Sequence, residues 1–107
     1  MGMNYFFIRK NSSLRYHIGK LSAGWAFLFR GYDNEEGLTL KSFQDWEIFL
    51  SDDNITVFTE ADEAIKTTTL LNKISQSRTE KRQAVEDNDN KRWCDPEGFV
   101  FDRDYFC

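Results

Sequence analysis

The fold is decided by residues 16–29, where the sequence reads YHIGKLSAGWAFLF. Apolar side chains alternate with other residues up to Gly19 and again from Trp25, which indicates two β-strands joined by a connection over residues 20–23. In the first of these strands, Ile18 lies on one face and His17, the only histidine of the chain, lies on the other. The stretch therefore combines reactive groups with special backbone positions.

The residues before this stretch predict a strand that pairs with it. Residues 3–10 are rich in aromatic and β-branched side chains, which favours a strand buried on much of both faces. Asn11, Ser12 and Ser13 form a turn signal, and residues 24–32 alternate as a third strand. Three consecutive strands with short connections predict an antiparallel meander.

The middle of the chain predicts two helices and a further strand. Residues 33–37 are polar and read as a solvated loop, whereas Ser42 has the chemistry to cap a short amphipathic helix over Phe43–Leu50. Ile55–Thr59 has strong strand character. Apolar residues near one stripe then favour a second helix over residues 61–77.

The last third of the chain changes from polar to aromatic. Residues 79–92 hold almost no large apolar side chain, so they form either the solvated end of the second helix or a mobile connection. From Trp93 onward, aromatic residues return and should dock on the sheet. We therefore expect a single α+β domain over residues 1–107, with a three- to four-stranded antiparallel sheet and two helices packed on one face.

Composition narrows the class of partner. The 18 acidic and 14 basic residues give a net charge of -4, which argues against binding to a nucleic-acid backbone. No apolar run approaches the roughly 20 residues that span a bilayer, and no secretory leader is recognisable, so we expect a cytoplasmic protein that does not engage membranes. In that compartment Cys94 and Cys107 should be free thiols.

The chemistry of residues 16–29 suggests a ligand site rather than a nucleotide-binding motif. A phosphate loop requires glycine five residues before the Gly-Lys pair and Ser or Thr directly after it, and leucines occupy both places. Backbone N–H groups in this region are still suited to an anion, and an indole beside them is suited to stacking on a base. The candidate binding residues are His17, Gly19, Lys20, Ser22, Gly24 and Trp25.

Catalytic and metal sites are weaker hypotheses. His17 has the chemistry of a general base, but no convincing nucleophile and orienting group accompany it, so we predict that the protein is not an enzyme. A zinc site needs four ligands, and Cys94, Cys107 and His17 supply three without the usual short spacing. We predict no metal and no other cofactor, and a metal-stabilised or redox-sensitive module is an alternative.

Two motifs give the chain a resemblance. Its start reads Met-Gly-x-Asn-Tyr, and residues 17–27 read His-Ile-Gly-Lys-x-Ser-x-Gly-Trp-x-Phe. The chain thereby resembles a family of short bacteriophage proteins of unassigned function. The resemblance implies action on the host, and a small phage-type accessory protein that binds and inhibits a bacterial defence or metabolic protein is the leading hypothesis. The alternative is a binder that sequesters an anionic nucleotide signal.

Overall fold

The computed structural model describes residues 2–22, 26–35, 37–80 and 92–103. Within these ranges the protein is α+β, with two helices, a mixed sheet of seven strands and a separate two-stranded hairpin. In chain order the elements are β1 (Gly2–Arg9), β2 (Tyr16–Ser22), β3 (Leu28–Arg30), β4 (Tyr32–Glu35), β5 (Leu38–Leu40), α1 (Phe43–Leu50), β6 (Ile55–Thr59), β7 (Ala64–Ile65), α2 (Thr67–Glu80), β8 (Arg92–Cys94) and β9 (Val100–Asp102).

The sheet is larger than the predicted three or four strands and is not purely antiparallel. Its described strand order is β7-β6-β1-β2-β3-β9-β8, and β3 and β9 run parallel while the other neighbours run antiparallel. The predicted meander is present as β1, β2 and β3, with β6 added beside β1. The prediction missed β7, β8 and β9 because each has only two or three residues, too few to show a period.

The β1–β2 hairpin forms because alternate residues of β1 bury apolar side chains. Tyr5 and Phe7 belong to the main core, and the Phe7 ring stacks on Tyr16 at 5.1 Å between centroids. The pairing slips by one residue, so that Tyr5 lies opposite Gly19 and Phe6 lies opposite His17. This bulge accommodates an extra residue, Ile18, in β2.

Helix α1 has the bounds that the sequence predicts. The Ser42 side chain accepts a hydrogen bond from the backbone N–H of Asp45 at 3.1 Å, which satisfies one donor of the first turn. The carboxylate of Asp95 accepts from the N–H of Phe43 at 2.7 Å and so satisfies another. Trp46 and Leu50 then bury one face of the helix in the core.

Helix α2 begins six residues later than predicted. The predicted first turn instead contains Asp62, whose φ of 62° is incompatible with a helix, and the strand β7, which pairs with β6. The helix buries Leu70 and Ile74 in the same core cluster as Trp46 and Leu50 of α1. Neither helix in the described part of the chain is long and apolar enough to cross a membrane.

The predicted loop over residues 33–37 is partly a hairpin. Strands β4 and β5 pair across it, with Tyr32 opposite Leu40, and positive φ values at Asn34 and Gly37 allow the reversal. Within the described part of the predicted third strand, residues 26–32, β3 spans only Leu28–Arg30, and its Leu28 and Phe29 pair with β2. The chain then leaves the main sheet and enters β4.

The aromatic C-terminal segment docks on the sheet, as predicted. Phe101 stacks on Phe29 at 4.6 Å, and the edge of Phe99 meets Phe43 at 5.1 Å. Trp93 covers Gly31 so closely that a Cβ there would overlap the indole. Tyr105 and Phe106, which were predicted to join this contact, lie outside the described residues, as does most of the segment predicted to be a helix end or mobile connection.

Candidate functional site

His17 is buried in a polar pair between β1 and β2. Its side chain lies opposite Phe6, on the face away from the main core, and the residue is only 3% exposed. The imidazole Nε2 lies 2.8 Å from Oδ1 of Asn4. The amide nitrogen of Asn4 points toward Glu60, which leaves Oδ1 to accept a hydrogen bond from Nε2–H of the neutral ring.

Glu60 holds Asn4 in this orientation. One carboxylate oxygen of Glu60 accepts from the backbone N–H of Asn4 at 2.6 Å, and the N–H of Glu60 donates back to the Asn4 carbonyl at 2.9 Å. The Tyr32 hydroxyl donates to the His17 carbonyl at 2.8 Å. Groups from three strands and the turn after β6 therefore fix this buried pair, which gives His17 a structural hydrogen-bonding role.

Burial, assisted by the nearby positive charge of Arg30, lowers the pKa of His17 from its usual 6.5 to about 4. The imidazole is consequently neutral at neutral pH. A neutral ring that is shielded from solvent and bonded to an amide is poorly placed to take a proton from a bound substrate. The arrangement suits a packing role better than acid–base chemistry.

The other predicted binding residues of β2 separate into a buried and a surface set. Gly19 is buried beneath Phe27, and a Cβ there would overlap both that ring and the carbonyl oxygen of Leu28. Lys20 and Ser22 are half-buried at the far end of the strand, where their side chains lie over Gly2. The structure therefore brings Lys20 and Ser22 together but places His17 and Gly19 inside the protein.

Two of the six predicted binding residues, Gly24 and Trp25, lie outside the described residues. The same is true of Cys107, whereas Cys94 lies exposed in β8. Within the described ranges, no three His, Cys, Asp or Glu side chains are grouped so that they could hold a metal ion. The three-ligand zinc hypothesis therefore gains no further ligand from the described residues.

Residues that the sequence analysis did not single out are more informative. Arg9, at the end of β1, lines an open groove of about 480 Å³ together with residues of α1 and β6. On α1 itself, Ile48 is 68% exposed although it stands in the middle of an otherwise well-packed helix.

The sequence contains a weak signal for the buried pair of His17 and Asn4, but none for the contribution of Glu60 or for the groove at Arg9. Asn4 interrupts an apolar strand beside the strand that carries the only histidine, which is typical of a buried polar pair. The contribution of Glu60 requires knowledge that β6 pairs with β1. In the sequence, Arg9 looks like an ordinary solvated residue at the end of a strand, because the helix α1 that lies beside it is distant along the chain.

Comparison of the chain with protein-family models, with curated proteins and with solved structures gives no match.

Proposed function

We propose that the chain is a small, non-catalytic accessory protein of phage type that binds and inhibits a bacterial host protein. The observation that carries the proposal is Ile48, which is 68% exposed on a helix whose inner face is anchored by the fully buried Trp46. A large apolar side chain on a preorganised element loses little further conformational freedom when a partner covers it. The outer face of α1 is therefore the surface that we assign to the partner.

The polar residues around Ile48 indicate what kind of partner fits. Gln44, Glu47 and Ser51 are exposed on the same helix, and the chain as a whole carries a net charge of -4. Charge complementarity favours an apolar pocket with a basic rim on the host protein. Such a rim also speeds association at low ionic strength.

The buried histidine supports the non-catalytic part of the proposal. The pKa of His17 is about 4, and its ring is bonded to Asn4 rather than open to a ligand. A general base works best when its pKa is close to the working pH and the group reaches the substrate. His17 meets neither condition.

The test is affinity capture from bacterial lysate under infection-like conditions, followed by an activity assay of any captured enzyme. The wild-type protein should retain one host protein in stoichiometric amount and lower its activity. Ile48→Glu should abolish retention, because a charge replaces the apolar contact. Asn72→Glu adds the same negative charge on the exposed face of α2, so it serves as the matched control and should retain the partner.

Two results would contradict the proposal. If no host protein is retained by correctly folded wild-type protein, host binding itself fails. If a partner is retained equally by Ile48→Glu, then the outer face of α1 is not the contact surface. Circular dichroism of both variants separates loss of contact from loss of fold, since Ile48 makes little contribution to the core.

A small anionic ligand is the second candidate. Lys20 and Ser22 lie side by side over Gly2, and Lys20 makes no ion pair with any described residue. A phosphate-bearing nucleotide should raise the melting temperature of the wild type, and Lys20→Ala should remove the shift, whereas Lys66→Ala at another exposed site should not. No shift across a panel of nucleotides would exclude this function.

A further inference from the structure

A groove lies at the end of β1 that is opposite Lys20 and Ser22. It has a volume of about 480 Å³, and three elements and the hairpin β4–β5 contribute to it. Its cationic residues are Arg9 and Lys10, and its apolar wall consists of Leu38, Phe49 and Ile55. The groove therefore places positive charge beside apolar surface, which is the general composition of a small-molecule or peptide site.

Arg9 is held in the groove by aromatic rings rather than by acceptors. Its guanidinium carbon lies 5.3 Å from the ring centroid of Tyr16 and 6.0 Å from that of Phe49. The Nε and Nη2 atoms are buried, and neither has a hydrogen-bond partner within the described residues. Because a buried donor without an acceptor is energetically unfavourable, Arg9 is a positive group that lacks its anion.

Asp52, the acidic residue among the described residues that line the groove, does not supply that anion. Asp52 lines the groove, but its carboxylate accepts from the backbone N–H of Asn54 at 2.9 Å and forms no ion pair with Arg9. Among the described lining residues, the two cations and one carboxylate give a net charge of about +1 at neutral pH. That balance suits a monoanion better than a doubly charged phosphate.

We propose that this groove binds a carboxylate that carries an apolar group. The carboxylate accepts hydrogen bonds from the Arg9 guanidinium in the planar, paired geometry that arginine favours, while Lys10 adds a second positive charge. The apolar group lies against Phe49, Leu38 and Ile55. Because Nε and Nη2 of Arg9 are buried, binding turns the guanidinium toward the ligand.

The inference does not depend on host-protein binding, because it is tested on the isolated protein with small molecules. Phenylacetate is titrated into isotope-labelled protein, and the backbone and arginine Nε–Hε signals are followed by NMR. We expect saturable shifts at residues 9–11, 37–38 and 49–55 and at the Nε–Hε signal of Arg9. Phenylacetamide, which has the same apolar group without the charge, should produce no saturable shifts there.

Variants assign the charge that is responsible. Arg9→Gln should weaken phenylacetate binding by about tenfold or more, since one charge-assisted hydrogen-bonded pair is lost. Arg15→Gln is the matched control, because Arg15 also stacks on an aromatic ring, Phe6, but is paired with Asp62 and does not line the groove. It should bind as the wild type does.

The ligand has two possible sources, a free carboxylic acid and the C-terminal residue of a peptide. A short acetylated peptide ending in phenylalanine, with a free carboxylate or as the amide, distinguishes them. If the free-carboxylate peptide and phenylacetate bind with similar affinity, the groove is a site for apolar carboxylates in general. If the peptide binds more tightly than phenylacetate, the groove is a site for peptide C-termini. Either result supports the proposal.

Three results would overturn it. Phenylacetamide could bind as tightly as phenylacetate, folded Arg9→Gln could keep wild-type affinity, or neither phenylacetate nor the peptide could shift the groove signals. If Arg9→Gln does not fold, the comparison of acid and amide on the wild-type protein still decides between a charged and a purely apolar site.

Discussion

The buried pair of His17 and Asn4 shows how a sheet can accommodate polar side chains between two apolar strands. The two side chains hydrogen-bond to each other through Nε2 of His17 and Oδ1 of Asn4, and Glu60 then orients the amide. The arrangement works only while the imidazole is neutral, because a second ring proton would place a positive charge in a site that is 3% exposed and close to Arg30. Folding therefore opposes protonation of His17.

This opposition predicts a pH dependence of stability. The folded pKa of about 4 lies below the unfolded value of 6.5, so the unfolded chain binds more protons between these values. The free energy of unfolding should fall as the pH decreases from about 7 to about 4, by an amount on the order of 3 kcal/mol, and this contribution should not change further below that range.

The measurement is urea unfolding at several pH values for the wild type and His17→Gln. The glutamine keeps a donor for Asn4 but does not titrate, so its stability should vary less between pH 7 and pH 5. Equal slopes in the two proteins would show that His17 does not carry the effect. Titration of the imidazole signals by NMR should give a midpoint well below 6.5.

Gly31 and Gly19 both lie so close to other residues that alanine would not fit, but the stability loss on substitution should have a different cause at each. Gly31→Ala should destabilise the protein by about 1–3 kcal/mol because its Cβ meets the Trp93 indole, and Trp93→Leu should relieve much of that cost. Gly19→Ala meets the backbone carbonyl of Leu28 as well as the Phe27 ring. Its cost should therefore persist in Phe27→Leu.

Double-mutant cycles measured by chemical unfolding test this difference. For the Gly31 and Trp93 pair, the double mutant should lose clearly less stability than the sum of the two single mutants, whereas the losses for the Gly19 and Phe27 pair should be nearly additive. Equal couplings would mean that the backbone near Gly19 moves as readily as a side chain does.

At the scale of elements, α1 depends on a residue that is distant in sequence. Asp95 accepts from the N–H of Phe43 with one oxygen and from the N–H groups of Glu97 and Phe99 with the other. It therefore joins the first turn of α1 to the loop between β8 and β9. Ser42 also caps the helix, but within the described residues its hydroxyl accepts from one N–H group, that of Asp45.

Asp95→Ala should consequently cost more than Ser42→Ala. We expect about 1 kcal/mol for the serine and about 3 kcal/mol for the buried aspartate, which leaves several backbone donors unsatisfied. Urea unfolding of the two variants gives the comparison, and Asp45→Asn, which removes the charge but keeps an oxygen to accept from the N–H of Lys41, controls for charge in the first turn. A loss at Asp95 no greater than that at Ser42 would contradict the proposed link between α1 and the C-terminal strands.

Elements whose causes are local could be predicted, and elements held by distant partners could not. The bounds of α1 follow from Ser42 and a helical stripe of aromatic residues, all close in sequence. By contrast, β9 is a strand because Phe29 and Arg30 pair with it, and neither its three residues nor their neighbours contain that information. The start of α2 was misplaced because pairing between β6 and β7 competes with helix formation.

The candidate sites followed the same rule. The predicted binding residues lie close together in sequence, but alternation and the bulge bury His17 and Gly19 while Lys20 and Ser22 stay near the surface. The groove at Arg9 requires three elements to meet, so no local pattern indicates it. A cluster in sequence thus predicted reactive residue types but not which of them would share a surface.

The whole molecule is organised around an aromatic core that its last strands complete. Phe29 lies at the centre, stacked on Phe101 and in edge contact with Phe99 at 5.4 Å. Phe99 in turn contacts Phe43 at the start of α1. The N-terminal meander, the first helix and the C-terminal strands therefore share one buried cluster, which should make their unfolding cooperative.

Removal of residues 92–107 should therefore do more than shorten the sheet. It would uncover Phe29 and Phe43, take away the Asp95 cap and leave β3 as an exposed edge strand, which favours aggregation. We expect the truncated chain to lose its dispersed NMR spectrum and its sharp unfolding transition. The control is the full chain with the exposed residues Glu97 and Arg103 replaced by serine, which keeps β8 and β9 in place and should preserve both properties. If the truncated chain still unfolds cooperatively, the meander and the helices form a core without the C-terminal strands.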